Sequence, residues 1–314
     1  MTGRSVAETG EFELIDSITD GLPSGPAVRV GPGDDCAVFA ADGDVAVSTD
    51  TMVENVHFRR AWSSGNDVGR KAVAAAVADL EAMGARGIGL VMALTMPGDL
   101  DLDWVTDFSA GVRAECAAAG VLLLGGDTTR GADIVATATV FGDLQGRAPV
   151  TRAGARPGDV VAVCGRLGWA AAGLAVLSRG FRSPRAVVVA HRVPEPPYGQ
   201  GIVAQRAGAT AMLDCSDGLL ADLGHLARAS GVAIDVWTDR LDVSEPQSVV
   251  AAAVGGGDPL TFILTGGDDH ALIATFAPGD VPDGWTVIGA VAAGEPAVTV
   301  DGAEWTDQVG WKHF

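Results

Sequence analysis

The stretch Val121-Leu122-Leu123-Leu124-Gly125-Gly126-Asp127-Thr128-Thr129-Arg130-Gly131 reads VLLLGGDTTRG. Its first four residues make an apolar strand, and two glycines then break it into a loop with one acid and one base. Upstream, Leu102–Ala119 has helical periodicity and Ile88–Thr95 reads as a strand. Downstream, Ile134–Phe141 returns to strand. Helices alternating with strands in this way predict mixed α/β layers.

Further out, Val28–Val30, Ala37–Ala40 and Val45–Thr49 read as strands, and Asn66–Ala85 as a helix. The segment Gly142–Asp159 (GDLQGRAPVTRAGARPGD) is dense in glycine, proline and arginine and reads as a domain junction. It divides the chain into 1–148 and 149–314. The second half restarts with strand Val160–Cys164, helix Trp169–Ser178, a Pro-rich link HRVPEPPYG, strand Thr210–Leu213, helix Gly218–Ser230 and strand Val232–Val236. From His270 to Val300 it is β-rich. The expected fold is α/β (α+β) in two domains, each mixing sheet and helix. At 314 residues and 48% apolar composition there is material for two cores.

Forty acids against 21 bases give a net charge of −19, which argues against nucleic acid or an anionic membrane as partner. The longest uncharged apolar stretches, Gly87–Gly98 and Leu167–Ser178, are too short to span a bilayer. The opening MTGRSVAETGEFELIDSITD is polar and acidic without an apolar leader core. Cys36, Cys116, Cys164 and Cys215 are scattered without CxxC spacing; Cys36 reads as a small buried residue. These features predict a cytoplasmic protein with reduced thiols. No GxxxxGK[ST] loop occurs, so a P-loop is excluded.

The acids are placed with a pattern. Besides VLLLGGDTTRG, four segments end an apolar run in carboxylates: Val30–Phe39 (VGPGDDCAVF) with Asp34 and Asp35, Val45–Asp50 with Ser48, Thr49 and Asp50, Ala211–Gly218 with Asp214, Ser216 and Asp217, and Phe262–His270 with Asp268 and Asp269. Ends of neighbouring buried strands converge on one crevice, where the flanking glycines would admit a bulky ligand. Each has a plainer reading as ordinary turn chemistry, and Asp217 reads equally as a helix N-cap.

Asp79 is the sharpest single residue. It lies in the apolar stripe Val68, Ala72, Ala75, Ala76, Ala82 and Met83, while Arg70, Ala74 and Glu81 occupy the other side. A carboxylate there costs several kcal/mol unless it is paired or metal-bound. The choice is between a cation and a structural salt bridge to arginine. Hard oxygen donors without a His/Cys cluster favour Mg²⁺, which also takes substrate phosphates. Arg130 and Arg152 can then meet phosphate oxygens.

In order along the chain, GDDCAVF, STDTMVENVHF, VADLEAMGA, LLGGDTTRG, TRAGARPGD, LDCSDGLLADLGHLA, TGGDDHAL and a terminal GWKHF resemble the thiamine-monophosphate kinases. That family sits in a superfamily with aminoimidazole ribonucleotide synthetase and selenophosphate synthetase. The resemblance implies ATP-dependent phosphorylation of thiamine monophosphate to thiamine diphosphate by direct in-line transfer, with several Mg²⁺ ions. It implies Asp35, Ser48, Thr49, Asp50, Asp79, Asp127, Asp214 and Asp217 as metal ligands, with Asp50, Asp79, Asp127 and Asp217 central to catalysis. Gly126, Asp127, Arg152 and Ser216 would contact ATP; His57, Asp268 and Trp311 would hold thiamine. A homodimer joined through N-terminal sheets is also implied. The chain departs from the family where GGEDYEL becomes GGDDHAL and GYDHF becomes GWKHF, both in the thiamine-site motifs. His57 reads alternatively as a satisfied structural histidine. Rival functions are another ATP-dependent synthetase of the superfamily and a non-catalytic nucleotide-binding protein.

Overall fold

The computed structural model describes residues 4–32, 36–306 and 309–310. Two compact units partition it: Met1–Leu80 with Arg86–Arg147, and Glu81–Ala85 with Ala148–Phe314. Both are mixed α/β, as the alternating pattern predicts. Among the described residues no helix is long and apolar enough to cross a membrane.

The first unit contains α1 (Val6–Thr9), α2 (Glu11–Thr19), β1 (Val28–Val30), β2 (Val38–Phe39), β3 (Val45–Val53), α3 (Gly65–Ala82, whose last two residues fall in the second unit), β4 (Arg86–Met96), α4 (Leu102–Ala119), β5 (Leu122–Arg130) and β6 (Val135–Asp143). Its main sheet has the order β3-β6-β4-β5, antiparallel except for the β4–β5 pair. One face is covered: Ala136, Ala138, Val140 and Leu90 are fully buried. The other is open, with Val45 41% and Val47 58% exposed. On it Thr49 pairs with the Thr139 hydroxyl and Thr51 with that of Thr137, each at 3.0 Å. Helix α4 begins where the Asp101 side chain accepts from Asp103 N–H and stops at Gly120, φ 69°.

Three expectations change here. The strand through Val121–Leu124 does not break at the glycines; β5 runs on to Arg130. A Cβ on Gly126 would stand 2.0 Å from the Met92 carbonyl oxygen, so its bareness serves the neighbouring strand. Strand β3 likewise continues to Val53, which puts Ser48, Thr49 and Asp50 mid-strand. Helix α3 has no solvated side, because Ala74 and Glu81 are as buried as the predicted stripe.

The second unit contains β7 (Val160–Cys164), α5 (Trp169–Ser178), α6 (Arg185–Arg192), α7 (Gln200–Arg206), β8 (Ala211–Cys215), α8 (Leu219–Ser230), β9 (Ala233–Val236), α9 (Glu245–Ala253), α10 (Leu260–Thr265), β10 (Ala271–Phe276), β11 (Thr286–Ala292), β12 (Ala297–Val300) and β13 (Ala303–Glu304). Its sheet order is β13-β12-β9-β11-β7-β10-β8. The inner strands are buried on both faces. Val161, Leu213 and Ile273 meet Leu219, Leu223 and Leu226 of α8 on one face. Ala162, Met212, Leu272 and Phe276 meet Trp285 and Val150 on the other. The run ending in Gly266–Gly267 was expected to be a strand; it is the short helix α10. A short apolar run satisfies a buried turn of helix as well as a buried strand.

Candidate active site

In the first unit the strand register assembles the candidate residues. Asp50 pairs with Ala138, Ala138 with Met92, and Met92 with Gly126, a row across all four strands on the covered face. Three strand spacings separate its ends by about 14 Å. Ser48 lies on the same face two residues earlier, and its hydroxyl donates to Asp79 Oδ2 of α3 at 2.5 Å. Asp79 is therefore bound to a hydroxyl. Thr49 does not join them: strand alternation turns it to the open face, where its hydroxyl donates to the Ala138 carbonyl. Asp127 pairs with Ala93 and is exposed on the edge strand.

Beside this row lies a cavity of about 110 Å³ between α2, α4 and strands β4 and β5. Ile15, Ile18, Met92, Leu94, Phe108 and Val112 give it apolar walls, and Gly125–Thr128 form a further part of its lining. His57 sits just past β3, half-buried, with Nδ1 accepting the Val53 N–H at 3.0 Å. The ring cannot take a proton at Nδ1 while it keeps that bond.

The second unit holds a separate group. Asp214, at 4% exposure, accepts at Oδ2 from His270 Nδ1–H at 2.9 Å. Asp217 does not cap α8. The cap residue is Gly218, and the Asp222 carboxylate inside the helix accepts the Asp217 and Gly218 amides at 3.1 and 3.0 Å. Burial, reinforced by Asp214, pushes the Asp222 carboxyl up to about 7. The loop that follows α10 packs onto this turn. Asp268 N–H donates to the Ser216 carbonyl at 2.8 Å, and a Cβ on Gly267 would stand 2.2 Å from the same oxygen. Asp269 turns away to accept Ala170 N–H at 2.9 Å at the start of α5, and burial pushes its carboxyl up to about 7.

Arg152 and Ser216 are exposed. The Arg152 carbonyl accepts from Ser230 at 2.8 Å. The His225 pKa is lowered by partial burial and then by Arg228 and Arg152, with Asp217 opposing, so the two guanidinium groups and the Asp217 carboxylate all act on this imidazole. Arg130 lies beside Gly98. Asp34, Asp35 and Trp311 lie outside the described residues. Cys36 is exposed rather than buried; Cys116, Cys164 and Cys215 are buried.

Sequence reasoning missed Asp222, and it names Asp269, His270 and Glu81 without finding the partners that give them their tasks. Asp222 could have been found by the reasoning used for Asp79, since it lies among Leu219, Leu223 and Leu226 at helical spacing. Glu81, two residues past Asp79, closes both oxygens on the Gly199 and Gly201 amides at 2.7 and 2.9 Å. Among the described residues no three His, Cys, Asp or Glu side chains stand together as a metal cage. The donors are carboxylate and hydroxyl oxygens, a set that fits a hard cation carrying its own waters and taking phosphate oxygens as further ligands.

Residues 33–144 match the family model described as AIR synthase related protein, N-terminal domain. Over 311 residues the chain is 45% identical to a thiamine-monophosphate kinase of Mycobacterium tuberculosis, covering 99% of this chain and 93% of that protein. It is 38% identical to the thiamine-monophosphate kinase of Corynebacterium glutamicum, covering 99% and 96%. A solved structure described as AaThiL complexed with AMPPCP and TMP is 33% identical and covers 98% of both chains with a TM-score of 0.79. The thiamine-monophosphate kinase of Stenotrophomonas maltophilia K279a gives a TM-score of 0.80 at 33% identity, over 94% of this chain and 98% of that one.

Proposed function

This chain belongs to the thiamine-monophosphate kinase family, and on that premise we propose that it transfers the γ-phosphoryl group of ATP to thiamine monophosphate, giving thiamine diphosphate by direct in-line attack with Mg²⁺ present. The observation that carries this reading is the cross-sheet row from Asp50 to Gly126, with the Ser48–Asp79 pair on the same face. It lines up oxygen ligands with the bare glycine backbone of an edge strand. The adjoining apolar cavity suits a flat heterocycle, and we assign it to the adenine ring.

Ser48, Asp50 and Asp79 would hold Mg²⁺ in the first unit, and Asp214 and Asp217 in the second, with Asp127 and Asp35 as further ligands. When bound, the ion neutralises charge on the polyphosphate. The chain's own residues do the positioning. Gly126 offers backbone without a side chain, Arg152 and Ser216 meet phosphate oxygens, and Asp268, His57 and Trp311 hold the thiamine moiety. A phosphate-monoester acceptor is already anionic, so positioning and charge neutralisation suffice without a general base. His57, with Nδ1 engaged by a backbone amide, suits a shaping role. The protein acts in the cytoplasm as a homodimer joined through the open face bearing Val45 and Val47.

Incubation with ATP, Mg²⁺ and thiamine monophosphate tests this reading. Thiamine diphosphate is the expected product. ADP formed only with another acceptor would point to a synthetase of the superfamily, and nucleotide binding without turnover to a non-catalytic protein. Sedimentation at micromolar concentration tests the dimer; a monomer there would remove it.

A further inference from the structure

His270 stands between two residues to which the kinase reading gives different tasks. Strands β8 and β10 are antiparallel neighbours, with Cys215 opposite Ala271 and Asp214 opposite Leu272. His270 precedes β10, and its N–H donates to the Cys215 carbonyl at 3.0 Å. Its ring lies over the end of β8. Nδ1 is 2.9 Å from Asp214 Oδ2, and Nε2 is 3.9 Å from Asp268 Oδ1. The side chains of His270 and Asp214 are 7% and 5% exposed, against 34% for Asp268. The imidazole thus has one nitrogen on a buried carboxylate and the other facing a half-open one.

The backbone is bent to achieve this. Asp268 and His270 both adopt positive φ, 68° and 55°, although neither is glycine. Such residues are strained and persist only where their surroundings over-determine them. Here the Asp268 amide is fixed to Ser216, the His270 amide to Cys215, and the Asp269 carboxylate to Ala170. Between the two left-handed residues Asp269 turns toward α5, which leaves the side chains of Asp268 and His270 facing each other.

Resting on the kinase reading, we infer that His270 is a positioning residue bordering both carboxylates: it fixes the rotamer of Asp214 through Nδ1, leaving Oδ1 as the oxygen offered to a cation, and its Nε2 edge, 3.9 Å away, walls one side of Asp268 where the thiamine moiety is held. A side chain that orients a ligating carboxylate typically changes metal affinity about 10–100-fold when removed. Here the same ring also borders a substrate contact, so its two edges have separable effects.

The test uses His270→Phe, His270→Asn and His270→Gln in the full chain. It reads Mg²⁺-dependent thermal shifts with a non-hydrolysable ATP analogue, and KM for each substrate. His270→Phe should raise half-saturation for Mg²⁺ about tenfold or more. In His270→Asn the amide takes the place of Nδ1, so the cation titration should return to within about threefold of wild type while KM for thiamine monophosphate stays raised. His270→Gln, reaching the Nε2 position, should show the opposite split. Asn and Gln with equal defects in both readouts, or a Phe variant with an unshifted cation titration, would overturn the proposal. If Phe fails to fold, the Asn–Gln contrast decides alone. A wild type that makes no thiamine diphosphate yet shows the cation-dependent shift would refute the kinase reading while still judging the Asp214 tie. A wild type indifferent to Mg²⁺ would refute the positioning role.

Discussion

The two acid groups are built on opposite principles. In the first unit Asp50 and Asp79 are half-buried and Asp127 is exposed; strand register directs Asp50 and Asp127, and helix α3 brings Asp79 to the Ser48 hydroxyl. In the second, Asp214, Asp222 and Asp269 are all 5% exposed or less, and each closes on a histidine or on backbone amides. A half-wet carboxylate stands open to solvent and to a cation arriving from it. A carboxylate bound to amides mainly holds a loop in shape. Asp222 and Asp269 frame the loop marked by the backbone bend at Asp268 and His270, and within that frame Asp214 is left for the proposed ligand role.

The largest effect that could break this contrast is at Asp79. Asp79→Asn keeps an acceptor for the Ser48 hydroxyl, so melting should stay within about 2 °C while kcat falls about a thousandfold or more. Near-normal turnover would mean that the half-wet acids are as structural as the buried ones. Next comes Asp268, at the open edge of the framed loop. Asp268→Ala should raise KM for thiamine monophosphate about tenfold and leave that for ATP within about twofold. Equal changes in both constants would remove its substrate role.

On the framing side the effects are on stability. Glu81→Ala leaves the Gly199 and Gly201 amides without their acceptor and should cost about 2–3 kcal/mol in urea unfolding. A loss below about 0.5 kcal/mol would show that water replaces the carboxylate. The smallest effect is in pH. Asp269 titrates near 7 when folded and about 3.9 when unfolded, so the folded chain binds the extra proton between those values. Its contribution is full below about pH 4 and is lost as pH rises through 7. Melting temperature should therefore fall from pH 5 to pH 8, and fall less in Asp269→Asn; identical slopes would contradict the burial that raises it.

Much of the fold is legible because the chain punctuates itself locally. Leu102–Ala119 is bounded by an aspartate cap and a left-handed glycine, and its limits read directly from sequence. Where punctuation is ambiguous the reading fails. Gly125–Gly126 looks like a loop, yet lies in a strand because the Met92 carbonyl needs the missing side chain. Phe262–Thr265 is too short for periodicity to separate helix from strand. At the site, Asp79 is legible because a helix displays its faces in the spacing of its residues. The separation of Thr49 from Ser48 and Asp50 follows from alternation once the strand is seen to run on. His270 and Asp269 are not legible, since their partners lie 56 and 99 residues away and only the folded sheet brings them near.

The threonines on the open face of the four-stranded sheet have a consequence of their own. Thr49 with Thr139, and Thr51 with Thr137, direct hydroxyl hydrogens sideways along the sheet. The Thr49–Thr139 pair, with Thr49 donating on to the Ala138 carbonyl, is thereby self-satisfied, and that part of the face can dewet beneath a second protein layer without stranding either hydroxyl hydrogen.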